Sequence, residues 1–370
     1  MLRNKKIHWV VPRYHTNMIP WVKALQEAGA TVSMDVLIQG KTEDHSLIRP
    51  VIWEEGSFSR KLNFLKKNDG VNKPFVFPNV RAYLRYLKKL NPDVVVLRDP
   101  SRYFSRMVML FSLVLSFKLV LYNQAPLFRR TNILRRLMVH VINVLFRAKW
   151  ITPVMGNQHK GFKPLPRHYF VPFAADWIGR KQNYHRDTWR ILGIGKFERR
   201  KEQLTLLKAL IRLTGDIPHW HLTWVGELSN EQHQVWYEEI MRFIHENKLH
   251  NKVTLVTNQP PSVMSTFYTN ADIMVLPSRN EPASISVIEA LGHGLPVICS
   301  HENGTACYIV DGSNGAVFKA GDEELLALAL GKIHAKLKNL HAEFEKEIAE
   351  TSQKMIDPKL FLAQFSKIIR

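Results

Sequence analysis

Residues 271–298 read ADIMVLPSRNEPASISVIEALGHGLPVI. Ile273 to Leu276 is an uncharged run bounded by Asp272 and by Pro277-Ser278, which reads as a central strand of a parallel sheet. Arg279 and Asn280 then form a polar loop. From Ser284 the apolar residues Ile285, Ile288, Leu291 and Leu295 recur at helical spacing, with Ser284 at the N-cap position and Gly292 or Gly294 closing the helix. Val297 opens the next strand. A helix that starts at the carboxyl edge of a parallel sheet presents unpaired N–H groups and about half a positive charge, which suits a diphosphate. Glu281 in the loop and Glu289 on the helix place two carboxylates around that terminus.

The same rhythm extends in both directions. In the first half, strands are expected at Ile7 to Val11, Thr31 to Leu37, Val94 to Leu97, Leu119 to Tyr122, Trp150 to Pro153 and Tyr169 to Val171. They alternate with helices at Ile19 to Ala28, Val80 to Leu90, Ser105 to Ser116 and Asn132 to Phe146. Residues 43–73 are polar and irregular and read as a long, mobile insertion. After a polar pause over Gly179 to Asp187, strands recur at Arg190 to Ile194, His221 to Val225 and Val253 to Val256, with helices beginning near Gln203, Glu231 and Pro261. The expectation is an α/β chain of two doubly wound, Rossmann-like halves.

A second element lies between a strand and a helix: GIGKFERRK, residues 193–201, which puts basic side chains at the same sheet edge as Glu281. Gly226 follows another strand in the same way, and glycine lets a backbone approach a ligand closely. A solvated basic loop and ordinary turn glycines are the plain alternatives.

Together these stretches resemble the donor-binding region of retaining glycosyltransferases of family four, the group 1 glycosyltransferases. Their pattern is E-P-F-G, then E-A, a glycine and P-V. The resemblance is tight over residues 190–320 and loose elsewhere. It implies the GT-B fold: an acceptor-binding Rossmann-like domain over 1–178, a nucleotide-sugar-binding one over 179–356 facing it across a cleft, and a helix over 357–370 crossing back to the first. By the same resemblance, Glu281 contacts hydroxyls of the transferred sugar and Glu289 holds the ribose. Lys196 and Lys201 form the pair that neutralises the departing diphosphate, with Gly195, Gly226, Ser284, Ile285 and Ser286 lining the donor site. Ala283 and Ser284 stand where phenylalanine and glycine are usual, and Glu202 replaces a glycine, a change expected to alter that turn. On the acceptor side the family often has a histidine after a later strand. Here Asn123 or Gln124 stands in that place, and a carboxamide cannot titrate. His15, in the first loop, is a possible substitute.

Composition bounds the rest. A chain of 370 residues with 45% hydrophobic content buries full cores in two domains. Cys299 and Cys307 are the only cysteines, which argues against a disulfide framework and against structural zinc. No D-x-D triplet occurs, and no metal or cofactor is expected beyond a nucleotide-diphosphate sugar as donor substrate. The N-terminal apolar run is too short for a signal-peptide core, and the longest apolar run, Met107 to Phe117, is too short to span a bilayer and reads as a buried helix.

Net charge is +20, all of it in residues 1–180, which hold 30 Lys+Arg against 10 Asp+Glu. Between Asp99 and Asp176 there is no acidic residue and there are twelve Lys or Arg. The basic helices around Arg81 to Lys89 and Arg129 to Lys149 point to an anionic membrane surface or a lipid-linked acceptor, hence to a cytoplasmic protein peripheral at the inner face of the membrane. No nucleic-acid-binding motif accompanies the charge. Two other classes remain open at this stage: a non-transferring GT-B enzyme, such as a nucleotide-sugar epimerase or a phosphorylase, and a basic scaffold or nucleic-acid-binding protein with a decayed pocket.

Overall fold

A computed structural model of the protein describes residues 2–14, 18–38, 46–65, 75–156, 161–180 and 188–370. The chain forms two compact units. One comprises Met1–Phe173 together with Pro358–Arg370, and the other Ala174–Asp357.

The first unit is built on strands β1 (Lys6–Arg13), β2 (Thr31–Ile38), β3 (Val51–Ile52), β4 (Val94–Arg98), β5 (Lys118–Tyr122), β6 (Lys149–Thr152) and β7 (His168–Phe170). They lie in the order β3-β2-β1-β4-β5-β6-β7, each pair parallel. Helices α1 (Ile19–Glu27), α2 (Ser57–Leu65), α3 (Val80–Leu90), α4 (Tyr103–Phe111) and α5 (Ile133–Leu145) connect them, and α12 (Pro358–Ile369) completes the unit. Asparagines start two of these helices: the Asn79 and Asn132 side chains accept from Ala82 N and Arg135 N, each at 3.0 Å. Helix α12 belongs here because Phe361 stacks on Trp21 of α1, with centroids 5.2 Å apart and planes 8° apart. The Trp21 indole in turn donates to Pro172 O at 2.8 Å.

Under β1 and β2 lies a buried polar network. Asp35 accepts from the Tyr83 hydroxyl at 2.6 Å and the Tyr86 hydroxyl at 3.1 Å, and its Oδ2 lies 3.0 Å from His8 Nε2. Burial, then the Asp35 charge, pushes both tyrosine hydroxyls well above their usual range, so they remain donors.

The second unit holds β8 (Trp189–Ile194), β9 (Trp220–Gly226), β10 (Val253–Thr257), β11 (Ile273–Leu276), β12 (Val297–Ser300) and β13 (Gly315–Phe318), in the order β10-β9-β8-β11-β12-β13 and again all parallel. Its helices are α6 (Gln203–Leu213), α7 (Glu231–Glu246), α8 (Pro261–Thr269), α9 (Ile285–Gly292), α10 (Glu323–Asn339) and α11 (His341–Ile356). Strand order reverses between β8 and β11, the switch point where open α/β sheets bind ligands. At the amino end of that junction the fully buried Asp272 accepts from Arg190 N at 2.8 Å and from the guanidiniums of Arg190 and Arg180 at 3.1 and 2.9 Å. Gly193 in β8 is required by packing, because a Cβ there would fall 2.1 Å from the Trp224 ring.

Two expectations need correction. Within residues 43–73 the structure has β3 and α2, so that stretch is partly ordinary secondary structure; residues 43–45 and 66–73 lie outside the described residues. Helix α4 ends at Phe111 rather than continuing to Ser116, and Leu113 and Val114 are exposed instead of buried. The polar pause contains residues 181–187, which also lie outside the described set, and the units divide at Phe173/Ala174 and Asp357/Pro358.

Asp35→Ala leaves one buried and one half-buried hydroxyl and an imidazole without their acceptor. It is expected to destabilise the first unit by about 3–5 kcal/mol, read as a lower melting transition for that unit by calorimetry.

Candidate active site

The two loops that leave β8 and β11 carry most of the candidate residues, and both emerge at the switch point. The first runs from Gly195 through a 3₁₀ turn, Arg199–Lys201, into α6. The second runs from Pro277 to Ser284, before α9. They meet at one carboxylate. Glu281 Oε2 accepts from Lys201 Nζ at 2.5 Å and from Arg200 Nη1 at 2.7 Å. Lys201 and Glu281 are both buried. Burial alone would raise the Glu281 carboxyl, but Lys201 and then Arg200 outweigh it and hold the carboxyl below its usual range. Burial depresses Lys201, with Glu281 opposing. The backbone of Glu281 is fixed as well: its N–H donates to Glu302 O at 3.1 Å, and its carbonyl accepts from Gly304 N at 2.8 Å.

Glu202 closes the first loop at φ +55°, ψ +39°, the left-handed conformation that glycine favours. The expectation that glutamate alters this turn is therefore wrong: the turn is kept with a side chain on it. That side chain takes Arg279 Nε at 2.7 Å, while Arg279 N donates to Arg200 O at 2.7 Å, so the loops are tied at two levels. Gly195 and Gly226 are spacers. A Cβ at Gly195 would meet the Lys201 stem at 3.1 Å, and one at Gly226 would meet Gly195 O at 2.6 Å.

Lys196 is not at this carboxylate. Its ammonium pairs with Glu227 at 3.0 Å, so the second cation on Glu281 is Arg200. Arg200 lies in the same basic run, but which of the three adjacent side chains turns inward depends on the 3₁₀ turn, which spacing does not reveal.

Ser284 occupies the N-cap of α9, yet its hydroxyl pairs with Ser286 Oγ at 2.7 Å and no side chain caps the helix. The terminus is thus left without a side-chain acceptor, beside Glu281. Ile285 and Ser286 form its first turn. One turn further on, Glu289 accepts the Tyr268 hydroxyl at 2.6 Å, and burial raises its carboxyl against that hydrogen bond. Tyr268 also stacks on His293, with centroids 4.8 Å apart. Tyr268 carries no motif signal; it reaches Glu289 only through the fold. Two buried groups here lack partners, Ser278 Oγ in the second loop and Nδ2 of Asn303, which forms a β-bridge with Glu281. Among the described residues no group of three or more His, Cys, Asp or Glu is arranged to hold a metal ion.

The acceptor-side candidates belong to the other unit. Asn123 follows β5, with its side chain accepting from Ala125 N at 3.0 Å, and Gln124 Nε2 lies 3.4 Å from the Tyr122 hydroxyl. His15 lies outside the described residues.

Two parallel-sheet units of this order define the GT-B class of glycosyltransferase fold. The chain superposes on a glycosyltransferase from Rickettsia africae with a TM-score of 0.74 over 99% of this chain and 98% of that one, at 16% identity. It also superposes on an Anabaena protein crystallised with UDP, with a TM-score of 0.73 over 98% of each chain, at 13% identity. Residues 177–354, which contain every side chain of the Glu281 site, match the model of the family glycosyl transferases group 1. Curated relatives include a D-inositol 3-phosphate glycosyltransferase of Corynebacterium jeikeium, 27% identical over 39% of this chain and 35% of the relative. A lipopolysaccharide core biosynthesis glycosyltransferase of Rhizobium meliloti is 27% identical over 39% of each. The matched stretch spans little more than a third of each relative's length.

Glu281→Ala strands a buried ammonium and is expected to destabilise the second unit by about 3–5 kcal/mol. Adding Lys201→Met should restore part of that loss, with the two variants compared by calorimetry.

Proposed function

We propose that this protein is a retaining glycosyltransferase that moves a sugar from a nucleotide-diphosphate donor to a hydroxyl of a glycan or lipid-linked acceptor. The single observation that carries the reading is the Lys201–Glu281–Arg200 cluster beside the uncapped start of α9, at the switch point of a group 1 glycosyltransferase domain. The diphosphate lies on the α9 terminus, where backbone N–H groups and the helix dipole favour anionic oxygen. Lys201 and Arg200, held in place by Glu281, stabilise the departing diphosphate as the anomeric C–O bond breaks with its electron pair moving to that group, while the acceptor oxygen bonds the anomeric carbon and its proton passes to a diphosphate oxygen. Preorganised cations of this kind stabilise the transition state more than the bound ground state. Glu281 then orients hydroxyls of the transferred sugar, Glu289 takes the ribose, and Lys196, half-exposed on Glu227, serves as a second diphosphate contact.

The acceptor is assigned to the first unit, near Asn123 and Gln124. Its basic surface suits an acceptor held at the inner face of the cytoplasmic membrane, in bacterial surface polysaccharide assembly.

Two measurements test the reading. Glu281→Ala and Lys201→Ala should each lower turnover by about two orders of magnitude; near-normal turnover in the folded variants removes the proposed roles. In thermal-shift assays against UDP, GDP, dTDP and ADP at matched salt, one nucleotide should stabilise the wild type and not Glu289→Ala. Sugar release or epimerisation without an acceptor would make the protein a non-transferring enzyme of the same fold. Salt-sensitive RNA binding with no nucleotide response would make it a basic scaffold.

A further inference from the structure

The two basic helices singled out in the sequence differ in where their apolar residues go. In α3, Tyr83 and Leu87 are buried, and Tyr83 is part of the Asp35 network, so the helix turns its apolar side into the core and its charges to solvent. In α5 the arrangement is reversed. Only Val139 and Asn143 are buried, while Ile133, Leu134, Leu137, Met138, Val141, Val144 and Leu145 are between 45% and 81% exposed. These seven recur at steps of three and four residues and form one stripe on the side of the helix opposite Val139 and Asn143. Leu113 and Val114, exposed beyond α4, join Leu145 at the rim of a cavity of about 640 Å³, and so extend the stripe past the end of α5.

The border of this stripe is cationic. Arg135 and Arg136 flank it on the helix, and Lys118, Arg147, Lys149 and Arg167 line the cavity, with no Asp or Glu among its lining residues. Lys149 is held below its usual range by burial and then by the charges of Arg167 and Lys118. A second copy of this face would bring cation against cation with no carboxylate to offset it, so self-association is disfavoured. An apolar stripe with a wholly basic border matches an anionic bilayer, whose acyl boundary takes the leucines and whose phosphates take the arginines. No helix among the described residues is long and apolar enough to cross a membrane, which makes this a surface contact.

We propose that α5, with the exposed Leu113-Val114 turn, is the face by which the protein docks on an anionic lipid surface, and that α3 takes no part. This deepens the peripheral-membrane element of the function proposed above by naming the face and adding an apolar contribution to the electrostatic one.

The test is co-sedimentation of the full chain with vesicles of phosphatidylcholine alone and with added phosphatidylglycerol, over a salt series. Compared are the wild type, Leu134→Glu/Leu137→Glu, Arg135→Glu/Arg136→Glu, and the α3 control Arg81→Glu/Arg85→Glu; all six side chains are exposed, and the melting temperature of each variant checks its fold. The expected result is binding that requires phosphatidylglycerol, falls by about tenfold or more in both α5 variants and is unchanged in the α3 control. With the leucines intact, high salt should weaken binding without abolishing it. Loss in the α3 control with α5 variants unaffected overturns the assignment of the face while leaving membrane association standing. Absence of wild-type binding to either vesicle overturns both. The nucleotide thermal shift, measured on the same samples, keeps either failure separate from failure of the donor site.

Discussion

The Lys201–Glu281 contact joins two loops that nothing in the chain order brings together. A buried ion pair is a poor source of stability in itself, since desolvation of both charges offsets most of their attraction, but removing one partner is costly because the other is left uncompensated. Such a pair therefore specifies an arrangement. Its counterpart lies at the opposite end of the same junction, where Asp272 is held by Arg190 and Arg180. Each end of β11 thus carries a carboxylate just beyond the strand, and each is met by a cation from the neighbouring β8 or its exit. The register of the two central strands and the geometry of the site are one constraint, because a slip of either strand would separate both sets of charges.

Much of this was legible from residues alone. The β11–α9 stretch reads correctly because a short apolar strand, a loop and a helical period follow one another without ambiguity, and the position of Ser284 at the helix start follows from the same pattern. Spacing could not reveal what side chains do once placed. Ser284 stands at the N-cap but bonds Ser286, and Glu202 keeps a turn that its type is expected to change. Lys196 and Lys201 look equivalent in the sequence, yet Lys196, ahead of the 3₁₀ turn, goes to Glu227 and Lys201, within it, goes to Glu281. Tyr268 was invisible because its partner is 21 residues away and on another helix.

The first unit was less legible for a different reason. Hydrophobic period identifies a helix face but not whether anything covers it. Helices α3 and α5 have similar mixtures of leucine and basic residues, and only the packed structure separates the one anchored through Tyr83 from the one whose apolar side is uncovered. For Leu113 and Val114 the apolar run suggested a longer buried helix, whereas the chain turns after Phe111 and exposes both.

The stacking of Phe361 on Trp21 bears on the order in which the molecule can assemble. The second unit is continuous from Ala174 to Asp357, but the first is interrupted by it and needs α12 to cover α1. During synthesis a ribosome releases β1 to β7 long before it releases Phe361 and Phe365. Until then the Trp21 face stands open, and the second unit, which ends at Asp357, is itself completed only just before Phe361. The first part of the chain to be made is thus the last to be finished, and the interval between the two is when newly made chains are most exposed to chaperones and proteases.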